Sequence, residues 1–214
     1  MSTRSIVFAD QKVGLSSDAA LLWPEQRLLV VADLHLGRGL TREVLGHEDA
    51  VADDLAVLRR LGRVVHDSGA EKLIILGDFV HETEAVTAAM ISMVANWRKT
   101  VHAEIILLRS SYDHLSAPVL NRWDMEPFGD SMLIAPLLFC YKPNPERPEP
   151  QVCGHLHPCA RLSSTADSLK LPCFVVEPNR LLLPSFGSHP DGFEVLDRDD
   201  RVFYVISDGE ILLI

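Results

Sequence analysis

Positive charge is in short supply in this chain. The 214 residues carry 20 Lys and Arg against 30 Asp and Glu, for a formal net charge of -10. A protein that coats nucleic acid by charge alone needs Lys and Arg to neutralise phosphates, so the balance argues against that class. A nuclease stays open, because bound divalent cations offset carboxylates locally. Cysteine is scarce too. The four, at 140, 153, 159 and 173, have no framework spacing of a small secreted disulfide scaffold. The longest apolar runs, such as Met132 to Phe139, are far too short to span a bilayer. Met1 to Asp10 lacks the apolar core of a signal peptide. These absences predict a cytoplasmic protein with reduced thiols and no membrane segment. No repeat or low-complexity tract divides the chain, so one domain over residues 1–214 is expected.

What the chain does have is apolar mass, 47% of its residues, enough for a sizeable core. In the first half it is organised as strand, helix, strand, helix, strand. Arg27 to Ala32, Lys72 to Leu76 and Glu104 to Leu108 are short Val-, Ile- and Leu-rich runs, the pattern of buried strands. Between them, Val51, Leu55, Leu58, Leu61 and Val65 form one helical stripe within Glu48 to Val65. Val86, Met90, Met93, Val94 and Trp97 form another within Glu84 to Trp97. Residues 5 to 22 suggest one or two strands around Lys12-Val13-Gly14. The second half reads as strands with little helix: Met132 to Cys140, Gln151 to Cys153, Cys173 to Glu177, Arg180 to Leu183, Phe193 to Leu196 and Val202 to Ile206. Lys142 to Pro150 is a Pro-rich loop. The expected fold is α/β, two sheets packed together with helices outside, and a site at the carboxyl ends of the strands.

Those strand ends are where ligand-type residues gather. The first strand closes in Asp33-Leu34-His35-Leu36-Gly37, the second in Gly77-Asp78-Phe79-Val80-His81, and a later one in Cys153-Gly154-His155-Leu156-His157-Pro158. If extended backbone continues through them, residues two apart share one face. Carboxylate oxygen and imidazole nitrogen at one mouth suit a divalent metal, with Mn²⁺, Fe²⁺ and Zn²⁺ all compatible. The candidate ligands are therefore Asp33, His35, Asp78, His155 and His157. A zinc site from Cys153, His155, His157 and Cys159 is the weaker alternative, because its spacing does not match the usual Cys-x₂₋₄-Cys pairs.

This order of motifs resembles the calcineurin-like metallophosphoesterases: Asp-x-His, Gly-Asp-x-x-His, Gly-Asn-His-Asp, a lone His, then Gly-His-x-His. Four of the five blocks are spaced accordingly over residues 28 to 158. Val31 to Gly37, the lead-in Trp23-Pro24-Glu25 and the tail Leu171-Pro172-Cys173-Phe174 to Leu182-Leu183-Pro184-Ser185-Phe186-Gly187 look like the DNA-ligase-associated metallophosphoesterases. The resemblance implies a four-layer αββα sandwich of two mixed sheets flanked by helices. It implies a manganese-dependent phosphodiesterase or endonuclease, DNA or a small diester as substrate, and a DNA ligase or helicase as partner. One metal would take Asp33, His35, Asp78 and His157. Asp78 would bridge to a second, which would also take His155.

The chain departs from that pattern at the second metal. Arg109-Ser110-Ser111-Tyr112-Asp113 stands where Arg-Gly-Asn-His-Asp is expected, and Tyr141 where the lone His is expected. Ser111 and Tyr141 are neutral oxygens at pH 7 and poorer donors than imidazole. Loss of a general acid at Tyr112 typically costs roughly 10²–10⁴ in rate. His114, one residue on, would have to reverse direction to replace it. Two expectations follow: a hydrolase working with one cation or a weakly held pair, or an inactive member of the fold that acts as a repair-associated scaffold. Arg38 and Arg42, directly after the first motif, are either phosphate contacts or ordinary exposed arginines, the second being the commoner case. His81 is either a supporting partner of the ligands or a lid residue. His47, His66, His102 and His189 read as solvated, and Cys140, Cys153 and Cys173 as small core residues.

Overall fold

The computed structural model describes residues 2–41, 47–109, 115–163, 168–187 and 192–214. The chain opens as a meander, β1 (Thr3–Phe8), β2 (Gln11–Ser16) and β3 (Ala20–Trp23), where the sequence suggested one or two strands. Ala9 and Asp10 join β1 to β2 with left-handed backbone at both positions, as a tight two-residue hairpin requires. β4 (Leu28–Ala32) follows. It leads through the short α1 (Arg38–Thr41) and the long α2 (His47–Ser68) to β5 (Lys72–Leu76). α3 (Ala88–Arg98), β6 (Glu104–Leu108), α4 (Ala117–Trp123) and β7 (Glu126–Phe128) complete the first sheet, ordered β1 to β7. Its first four strands are antiparallel and its last four parallel.

α3 begins later than the apolar stripe suggests. Thr83–Ala85 is a separate 3₁₀ turn, and Thr87 caps α3 by accepting the Met90 N–H at 3.2 Å. A Thr hydroxyl that satisfies an orphan donor stops the helix from extending backwards. α4 and β7 have no sequence signature, because seven and three residues are too short to display a period.

The second sheet contains β8 (Ser131–Ile134), β9 (Leu137–Cys140), β10 (Gln151–Cys153), β11 (Pro158–Ser163), β12 (Ser168–Glu177), β13 (Arg180–Leu182), β14 (Phe193–Glu194), β15 (Val202–Ser207) and β16 (Glu210–Leu213). The run Met132 to Cys140, expected as one strand, is two antiparallel strands that turn at Ala135 and Pro136. Pro interrupts a ladder because it cannot donate. The short strands β11 and β16 carried no sequence signal of their own.

Three core clusters explain the layering. Leu29, Val31, Leu73, Ile75, Ile105 and Leu107 face α2 and α3, meeting Leu58, Leu61, Met90 and Val94. Their neighbours Val30, Ala32, Ile74, Leu76, Ile106 and Leu108 face the second sheet, meeting Leu137, Phe139, Val152, Phe174 and Leu181. Strands buried on both faces are why these runs show no alternation. Cys140, Cys153, Cys173, Val175, Leu182, Phe203 and Val205 form the outer cluster of the second sheet, and it contains no helical residue. The architecture is α/β, two mixed sheets packed face to face, with helices on the outside of the first.

Candidate metal centre

Past the ends of β4 and β5 the two motif loops stay joined. His35 N–H donates to the Asp78 carbonyl at 2.8 Å, Leu36 N–H to Phe79 at 3.0 Å, and His81 N–H to Leu36 at 2.9 Å. Gly37 closes the first loop with φ +81, and its N–H is held by the Asp54 carboxylate of α2 at 2.9 and 3.1 Å. Asp54 is a site residue that none of the sequence motifs includes. The available signal was its register: an acid three residues after Val51 and four before Leu58 lies on the apolar stripe. Burial pushes its carboxyl up to about 6.

All five predicted ligands have left-handed backbone: Asp33 φ 53, His35 φ 51, Asp78 φ 38, His155 φ 69 and His157 φ 45. The expectation of extended backbone through Asp33-x-His35 and His155-x-His157 is therefore corrected. Each side chain is aimed inward by a single reversed residue, and not by strand alternation. Non-glycine residues in this region are strained by about 1–3 kcal/mol each, and such strain collects at working sites.

Four of the five converge. Ligand atoms of Asp33, His35, Asp78 and His157 all lie within 4.8 Å of one another. His35 Nε2 is 3.1 Å from His157 Nε2, and His157 Nε2 is 3.5 Å from Asp33 Oδ2. Asp33 is fully buried and Asp78 nearly so, yet Oδ1 of each accepts no hydrogen bond among the described residues. No Lys or Arg among those residues pairs with either carboxylate. Two buried carboxylates grouped with two imidazoles, each carboxylate with one oxygen open, lack a compensating positive charge among the described residues. A divalent cation with mixed oxygen and nitrogen ligands fits that donor set. Burial pushes the Asp33 carboxyl up to about 6, against the lowering effects of His157 and the His155 N–H.

His155 takes a different place. Its N–H donates to Asp33 Oδ2 at 2.8 Å, but its Nδ1 meets Tyr141 Oη at 2.7 Å, and that hydroxyl donates to Asp78 Oδ2 at 3.0 Å. Burial, and then Lys142, hold the His155 imidazole below its ordinary pKa. Cys153 turns to the outer cluster of the second sheet and Cys159 reaches the His157 carbonyl, so neither joins the metal-type cluster. Ser111, Tyr112, Asp113 and His114 lie outside the described residues, as do Arg42 and His189.

His81 is a partner of the ligands. Its Nδ1 is 3.2 Å from His35 Nδ1, on the side of the ring away from His157. A second nitrogen held this way fixes ring orientation and tautomer. His81→Ala is expected to weaken Mn²⁺ binding roughly 10- to 100-fold. Calorimetric titration would measure this, and unchanged affinity would remove His81 from the centre.

A crossing segment closes the floor. Leu183 N–H donates to Cys153, Phe186 N–H to Ala32 at 2.7 Å, and Ser185 Oγ to the Asp33 carbonyl at 2.6 Å. The tail thus ties the His155 loop to the Asp33 loop across the two sheets.

The same architecture is found in a crystal structure of the nuclease MPE of Pseudomonas putida. The two chains superpose with a TM-score of 0.86, are 28% identical, and cover 100% of each other. The chain belongs to the calcineurin-like metallophosphoesterase superfamily. A phosphoesterase from E. coli, Yfce, is 17% identical over 87% of this chain and 97% of its own, at a TM-score of 0.44, too low to add weight. No protein-family model matches the chain, and no curated protein does.

Proposed function

We propose that the protein is a divalent-cation-dependent phosphodiesterase, with manganese as the first candidate ion and DNA or a small diester as substrate. The observation that carries it is the convergence of Asp33, His35, Asp78 and His157, whose two buried carboxylates each keep one oxygen without a partner among the described residues. A cation held there would polarise a phosphoryl oxygen and activate water. The chain's own residues prepare that place. His81 orients His35, the His155 N–H and Ser185 hold Asp33, and Asp54 fixes the loop through Gly37.

A cleft of about 480 Å³ opens beside Tyr141, with the cations Arg109 and Lys142 and the carboxylate of Asp130 on its wall. Phosphates flanking the scissile one would meet positive charge there, which local contacts can supply despite the acidic whole. The nuclease activity of the P. putida neighbour supports a nucleic-acid substrate. A role in DNA repair beside a ligase or helicase rests on the motif likeness alone. Four free thiols suit a cytoplasmic setting. No helix among the described residues is long and apolar enough to cross a membrane.

The test is turnover of bis(p-nitrophenyl) phosphate and of single-stranded DNA across a Mn²⁺ series. Cation-dependent hydrolysis, abolished by chelator, is expected; no turnover at millimolar Mn²⁺ overturns the assignment. A second reading, an inactive scaffold of the same fold, is favoured by Tyr141 standing at Asp78 and His155. A bound cation without turnover would select it.

A further inference from the structure

We infer that Tyr141 stands in the place of a second cation and makes this a one-cation centre. Of the five ligand-type residues, Asp78 and His155 are the two available to a second ion. One hydroxyl already bridges them, 3.0 Å from Asp78 Oδ2 and 2.7 Å from His155 Nδ1. With Nδ1–H of a neutral His155 donating to Oη, and Oη–H donating to Asp78 Oδ2, the three atoms of that chain are each paired.

The contrast with the Asp33, His35, Asp78 and His157 cluster is informative. Asp33 Oδ1 and Asp78 Oδ1 are buried without partners among the described residues, and the imidazoles of His35 and His157 meet beside these carboxylates. Unsatisfied donor atoms mark where positive charge is missing. The two carboxylate oxygens without partners both belong to that cluster, whereas Asp78 Oδ2 and His155 Nδ1 are already joined through Tyr141.

The phenol is also held in position. Tyr141 is 3% exposed, and its ring lies directly on Gly77, where any Cβ would overlap ring carbons. Gly77 has φ +69, so glycine is required there on both counts. The His155 ring packs on the other flank, with centroids 4.7 Å apart. The hydroxyl therefore cannot swing aside without moving the tip of β5 or the loop carrying His155. The exposed Lys142 places a positive charge 5.4 Å from the ring centroid, which disfavours a second dication by repulsion.

The inference holds only if the first cluster binds a divalent cation, as proposed above. It is tested by counting metal. Wild type, Tyr141→Phe and Tyr141→Ala are equilibrated with Mn²⁺, freed of excess ion, and analysed by elemental mass spectrometry. Electron paramagnetic resonance then separates isolated from spin-coupled manganese. The expected result is one isolated Mn²⁺ per wild-type chain, and a second, spin-coupled ion in a variant once the hydroxyl or the whole ring is gone. Tyr141→Phe keeps the ring that fills the space over Gly77, so it serves if the smaller variant fails to fold. Two coupled ions in wild type would overturn the inference and leave the cation-dependent assignment intact. One ion in wild type and in every folded variant would also overturn it, since Tyr141 would not be what limits the count. No ion in any form would instead overturn the cation-dependent assignment.

Discussion

Asp33→Asn is expected to stabilise the metal-free protein while abolishing its response to manganese. Asp33 is fully buried, one of its oxygens has no partner, and burial raises its carboxyl from the ordinary 3.8 to about 6. A carboxyl whose folded pKa lies above its unfolded value binds protons more tightly when folded. Its contribution to stability is therefore complete below about pH 4 and is lost as pH rises through about 6. The displacement corresponds to on the order of 3 kcal/mol at pH 7 to 8. Metal-free wild type should thus weaken between pH 4 and 7, and Asp33→Asn should flatten that dependence. Mn²⁺ reverses the ranking. An ion that binds only the folded wild type adds stability by mass action, about 2.7 kcal/mol at a hundred times its dissociation constant. The variant, without the carboxylate, should gain little and lose roughly 10³-fold or more in hydrolysis, the equivalent of several kcal/mol of charge stabilisation. Urea denaturation at pH 5 and pH 8, with chelator and with Mn²⁺, checks all of this. A metal-free variant weaker than metal-free wild type at pH 8 would contradict the account of Asp33. Equal stabilisation of both proteins by Mn²⁺ would show that the ion sits elsewhere.

Gly187→Ala is expected to damage both fold and site from a position that bears no ligand. A Cβ at 187 would overlap the Leu34 carbonyl oxygen and lie 3.0 Å from Leu34 C and 3.3 Å from the Asp33 oxygen. These are backbone atoms, so no rotamer change relieves the overlap. The same segment holds Asp33 through the Gly187 N–H at 3.2 Å and Ser185 Oγ at 2.6 Å. Either the crossing tail lifts from the first sheet or the Asp33 loop is pushed out of position. Overpacking of this kind typically costs about 1–3 kcal/mol and occasionally more. Displacing a group that orients a ligand should weaken metal binding by roughly 10- to 100-fold. Gly129→Ala is the control. Nothing lies within 4 Å of a Cβ there, so stability should change by less than about 0.5 kcal/mol. If Gly187→Ala matched that control in urea midpoint and in Mn²⁺ affinity, the tail would not be what positions Asp33.

The three central strands were legible to within a residue because they are buried on both faces. Leu28–Ala32, Lys72–Leu76 and Glu104–Leu108 are nearly continuous apolar runs for that reason. Long helices were legible through their stripes, although the Thr87 cap moved the start of α3 to Ala88. The short pieces β7, β11, β16 and α4 were not, since a period cannot be read from three to seven residues whose placement depends on neighbours distant in the chain.

Order and spacing of ligand-type residues also determined which side chains to watch, because motif loops follow strands and the strands could be read. Conformation inside those loops was decided by the tertiary structure alone. Left-handed backbone at Asp33, His35, Asp78, His155 and His157 has no periodic signature, since it depends on hydrogen bonds between loops far apart in sequence. So too with Tyr141. Its residue type at that place in the order announced a departure from the usual metal cradle. Only the packing of its ring on Gly77, between two sheets, put its hydroxyl between Asp78 and His155. Periodicity and composition act along the chain and can be read from it; the meeting of loop tips from two sheets is a long-range contact that exists only once both sheets have formed.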